Sequence, residues 1–138
     1  MKAEVGEALA ELVSGFPGHS VRHREDAEGG AYVVVEGLFI GENFSPSVTW
    51  VGFHITWAYP DADVYPLFIE AAVQYSGQRQ RPNKHPEGDL PSAVSRGGHM
   101  PGFDLPAVQV SRRSNRRDAE TDSALQKVLR VLAFLRSR

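Results

Sequence analysis

Residues 48–75 read VTWVGFHITWAYPDADVYPLFIEAAVQY, two apolar runs separated by Tyr59-Pro60-Asp61-Ala62-Asp63-Val64-Tyr65-Pro66. In the first run Val51, Phe53, Ile55, Trp57 and Tyr59 alternate with Trp50, Gly52, His54 and Thr56, the period of a strand that buries its odd-numbered face. The second run, Leu67 to Tyr75, reads as a further strand. Short connections between strands are usually built from Asn-Gly or Asp-Gly. Here two prolines restrict φ instead, so the Pro60–Pro66 loop is expected to be stiff and packed against the strands it joins.

Upstream, Val5, Leu9, Leu12, Val13 and Phe16 recur at helical spacing, opposite Glu4, Glu7 and Glu11, and Gly15 and Pro17 close the segment. HSVRHRE suits a short edge strand, and AYVVVEGLFI is dense in β-branched residues. Residues from about 31 to 75 are therefore expected to form an antiparallel meander. Downstream, residues 76–106 are rich in Gly, Pro, His and charge without a clear period, so a long irregular segment is expected. Beyond it Thr121-Asp122-Ser123 can cap a closing helix whose face is Leu125, Val128, Leu129, Leu132 and Leu135.

The expected fold is α+β in one domain over residues 1–138: an N-terminal helix, a three- to four-stranded antiparallel meander, the irregular segment and a C-terminal helix. Composition is that of an ordinary globular chain, with 41% hydrophobic and 23% charged residues. No apolar run is long enough to span a membrane, and the first residues lack the basic end and apolar block of a signal peptide, so a cytoplasmic protein is expected. Cysteine is absent, which removes disulfides, thiolate metal sites and thiol nucleophiles. Charge is uneven: residues 1–75 carry eleven acids and three bases, residues 76–138 six acids and twelve bases. The two parts either face each other or expose a basic partner surface.

Helix, meander, Tyr-Pro loop after the third strand, extended segment and final helix together resemble the ubiquitin-conjugating enzyme (UBC-like) superfamily and its RWD relatives. In that superfamily a stiff Tyr-Pro-x-x-x-Pro loop joins the third and fourth strands and packs its rings on neighbouring elements. Tyr59-Pro60 and Pro66 match it with a longer spacing. His85-Pro86 is similar to the His-Pro-Asn element that precedes the catalytic cysteine by about ten residues, but Glu87 replaces the asparagine and the corresponding position is Ser95. The tail VSRRSNRRDAETDSALQKVLRVLAFL resembles the end of the prokaryotic conjugating-enzyme-like branch. The resemblance implies a protein of a bacterial ubiquitin-like modification pathway that binds the modifier or its activating enzyme. Thioester transfer needs a thiolate that attacks and leaves readily, and Ser95 cannot supply it. A generic RWD-type interaction module is the related alternative.

Other chemistry has thinner support. His99, in GGHMPGFD with Asp104 nearby, is the best acid–base candidate and would suit a hydrolase or transferase if a cleft surrounded it. His19 and His23 fall on a strand and His54 on a sheet, so no metal site is expected. The glycines of SRGGHMPG do not follow a strand and open a helix, so no nucleotide cofactor is expected either. Asp61 and Asp63 read as turn acids that cap and solvate. Arg112, Arg113, Arg116 and Arg117 form a basic cluster whose planar donors suit carboxylate or phosphate. In a slightly negative chain with no aromatic residue among them, the cluster points to protein rather than nucleic acid. Tyr59, Pro60 and Pro66 join it as partner-binding candidates, and oligomeric state is left open.

Overall fold

Helix α1, Ala3–Gly15, buries Val5, Ala8, Leu9 and Leu12 along one stripe and keeps its glutamates outside. A computed structural model describes residues 1–77, 89–114 and 118–138. After α1 come β1 (Val21–Glu25), β2 (Ala31–Phe39), β3 (Phe44–Ser45), β4 (Val48–Ile55), β5 (Leu67–Glu70) and β6 (Gln74–Tyr75). They are followed by β7 (Val94–Met100), β8 (Leu105–Val110) and helix α2 (Ala124–Arg136), which Ser123 caps by accepting the Gln126 amide at 3.1 Å.

Six strands form one sheet in the order β1-β2-β4-β5-β8-β7, every pairing antiparallel, and β3 pairs with β6 beside it. Both helices cover one face. There Val5, Leu12, Val128, Leu132 and Leu135 meet Val33, Val35, Val51, Phe53, Ile55, Leu67 and Ile69, all almost fully buried. The odd-numbered residues of β4 thus point into the main core, as the alternation requires. The opposite face carries a smaller cluster of Val34, Phe68, Met100 and Ala107, flanked by Tyr32, Trp50, Phe103 and Leu105.

The meander over residues 31–75 is present in β2, β4 and β5, but three expectations are corrected. Residues 76–106 are not irregular throughout: β7 and the start of β8 form a hairpin, which raises the sheet from three or four strands to six. The pattern was hidden because β7 holds Gly97 and Gly98 and its register against β8 shifts between Ser95 and Gly98, which breaks the two-residue period. The run from Leu67 does not continue as one strand to Tyr75; it ends at Glu70 and turns, leaving Gln74–Tyr75 to pair with β3. Finally, Val13, Trp57 and Leu129 are exposed rather than core. Trp57 lies past the last residue of β4, where the pleat no longer dictates its side.

The tip of the β7–β8 hairpin folds back across the second face. Met100 lies over Gly52, where a Cβ would come within 2.7 Å of its sulfur, and Gly102 lies against the Tyr32 ring. Arg24 donates to the Gly102 carbonyl at 2.9 Å, and Arg22 and Arg24 both stack on Phe103.

Candidate functional site

The chain leaving β4 is pinned from three directions. Lys2 donates its ammonium to the carbonyls of Trp57 and Tyr59 at 2.8 and 2.9 Å. The Tyr59 ring enters the core, and its hydroxyl accepts the Ala124 amide at 3.1 Å, one of the donors that the first turn of a helix leaves unpaired. Asp63 accepts the Ser114 amide at 2.9 Å, the Ser114 hydroxyl at 3.0 Å and the Lys127 ammonium at 2.9 Å. Both Tyr-Pro bonds of the loop are cis.

Lys127 is the unexpected member. Its side chain is only 3% exposed, and beyond Asp63 it donates to the Arg112 carbonyl at 2.6 Å and the Ser114 hydroxyl at 3.0 Å, so its three protons meet three acceptors. Burial alone would raise the Asp63 pKa; the Ser114 amide, the hydrogen bond and charge of Lys127 and the Ser114 hydroxyl outweigh it and hold it below the usual aspartate value. The expectation that Asp63 is a solvated turn acid is therefore corrected, whereas Asp61 is exposed.

Around this anchor lies a cleft of about 330 Å³ lined by Arg112, Arg113, Ser114, Asp122, Lys127 and Arg130, with Asp118, Thr121 and Val131 completing the wall. Asp122 is nearly buried; it accepts Arg130 at 2.6 Å and the Asp118 amide at 2.7 Å. Arg112 stacks on Phe134 with its guanidinium carbon 4.5 Å from the ring centre, and Arg113 stacks on Tyr65 at 4.0 Å. The fold thus ties Tyr59 to the first residue of α2, sets Arg112 on Phe134 near the other end of that helix and sets Arg113 on Tyr65, the neighbour of Pro66 in the loop that also holds Pro60. His85, Arg116 and Arg117 lie outside the described residues.

The remaining candidates lie elsewhere. Ser95 is an exposed residue of the edge strand β7, opposite Gln109. His99 is 2.8 Å from Asp104, with side chains 55% and 96% exposed, so water surrounds the pair. His54 makes a more sheltered pair with Asp26 at 2.7 Å and stacks on Tyr32 with ring centres 4.3 Å apart. Burial opposes ionisation of Asp26, but hydrogen bonds from His54 and the Glu28 and Gly30 amides, with the charge of His54, hold its pKa low. This pair clasps the β1–β2 turn. Among the described residues no hydroxyl is hydrogen-bonded to either His54 or His99, and no group of three or more His, Asp or Glu side chains is placed to hold a metal.

Sequence reasoning did not find Lys127, Ser114, Asp122 or Arg130. One signal was available for Lys127. It sits between Ala124, Val128 and Val131 on the buried stripe of α2, where a lysine is found almost only when paired. No family model, curated protein or solved structure matches the chain.

Proposed function

We propose that this chain is a conjugating-enzyme-like protein without transfer chemistry, which binds a ubiquitin-like modifier or its activating enzyme in a bacterial modification pathway. The observation that carries the reading is the Tyr-Pro loop: it joins β4 and β5, the third and fourth strands along the six-stranded sheet, and packs Tyr59 and Tyr65 on α2 and Arg113. An N-terminal helix precedes those strands and a second helix closes the chain, the order from which the resemblance started. Binding is the activity left to such a fold when none of its 138 residues is cysteine, because an oxyester at Ser95 would be a poor donor to an amine. The β7–β8 hairpin, which pairs with β5, is an addition to that order.

The test combines the purified chain with a bacterial ubiquitin-like protein and its activating enzyme, with ATP, and reads complex formation by calorimetry and covalent products by gel. A noncovalent complex without any conjugate is expected. Failure to bind either protein, or a conjugate on the native chain, would reject the reading.

A further inference from the structure

Among the described residues two cations of the cleft beside α2 make no ion pair. Lys127 is neutralised by Asp63 and Arg130 by Asp122, but among the described residues neither the Arg112 nor the Arg113 guanidinium has a hydrogen-bond or ion-pair partner. Both are nonetheless held in place. The guanidinium carbon of Arg112 lies 4.5 Å from the centre of the Phe134 ring and that of Arg113 4.0 Å from the centre of the Tyr65 ring. The backbone between them is fixed as well, since the Arg112 carbonyl accepts Lys127 and the Ser114 amide donates to Asp63. Two forked donors, positioned before any ligand arrives, lose little conformational entropy on binding.

We infer that this cleft receives a carboxylate presented by a protein segment, which Arg112 and Arg113 grip through their N–H edges while Lys127, Asp63 and Ser114 hold the arginine segment in place. The inference deepens the proposed function and rests on its reading of the partner as a protein. A single carboxylate fits better than a nucleic acid strand. The Phe134 and Tyr65 faces seen by the arginines are occupied and do not offer themselves to bases. The chain as a whole also carries a net charge of −2.

The experiment titrates the full chain, labelled at arginine, with a short peptide carrying two glutamates, with the same peptide carrying glutamines, and with an oligothymidylate. The glutamate peptide should bind saturably and shift the side-chain N–H signals of Arg112 and Arg113. Replacing both by glutamine, R112Q with R113Q, should weaken it about tenfold or more, the loss of a charge-assisted contact. R22Q, which alters an arginine stacked on Phe103 away from the cleft, should leave it unchanged. Equal binding of the glutamine peptide, tighter binding of the oligonucleotide, or undiminished binding by the double variant would overturn the inference. So would glutamate-induced shifts that fall elsewhere in the wild-type chain, a reading that does not depend on the variant's folding. A chain that grips the glutamate peptide here yet ignores modifier and activating enzyme keeps the inference and removes the pathway; the reverse result removes the inference alone.

Discussion

The Lys127 ammonium lies 2.9 Å from Asp63, joining the middle of the Tyr-Pro loop to the start of α2 across 64 positions of sequence. The same two side chains also fix Ser114 and the Arg112 carbonyl. The loop is a three-way junction.

Removing one partner of a buried pair leaves the other charge without compensation. Lys127→Met should therefore destabilise the chain by about 2–4 kcal/mol in urea unfolding. Combining it with Asp63→Asn should recover part of that loss. A double variant as unstable as the two losses added together would show that the pair is not coupled.

Asp26 and Asp63 both have pKa values lowered by folding. A carboxylate of this kind contributes stability above its unfolded pKa, and the contribution is lost as pH falls through the folded value. Stability should thus decline as pH drops below about 4, and that decline should be shallower in Asp26→Asn and Asp63→Asn. Unfolding curves collected between about pH 5 and pH 2 decide it; parallel curves for wild type and variants would contradict the assignment.

Tyr59→Phe keeps the buried ring and removes only the acceptor of the Ala124 amide. The expected cost is about 1 kcal/mol, with faster hydrogen exchange at Ala124 than at amides in the middle of α2. Exchange unchanged at Ala124 would mean that the hydroxyl does not tie loop to helix.

At the hairpin tip, Gly102 has φ +80° and no room for a Cβ beside Tyr32. Gly102→Ala should cost about 1–3 kcal/mol by combining backbone strain with displacement of the tip. Its signature is a change at the stacked Tyr32 and His54 rings, visible in their proton spectra, rather than at α2.

His99→Ala, by contrast, should change stability by less than about 0.5 kcal/mol, because the His99–Asp104 pair is solvated, and should leave binding at the Arg112–Arg113 cleft intact, because His99 does not line it. An activity lost in this variant with folding preserved would revive the enzymatic alternative.

What the sequence by itself determined is what local chemistry encodes. The apolar stripe of α1, the β-branched run of β2, the alternation in β4 and the Ser123 cap of α2 each appear where the spacing places them, since each depends on neighbours within a turn or a pleat. The total absence of cysteine was equally plain, and so was the cluster of Arg112, Arg113, Arg116 and Arg117.

Only the tertiary structure decided the rest. The β7–β8 hairpin was invisible because glycines and a register shift erase its period, and its strands gain their order from pairing with β5, far away in sequence. Asp63 looked like a solvated turn acid, and nothing local distinguishes it from Asp61. Its burial depends on Lys127 arriving from α2, and whether a charge is solvated or paired is settled by what the fold brings within hydrogen-bond reach. The same holds for the arginines: their type was legible, but the rings they rest on, Phe134 and Tyr65, and the cleft that they line come from elements distant in sequence.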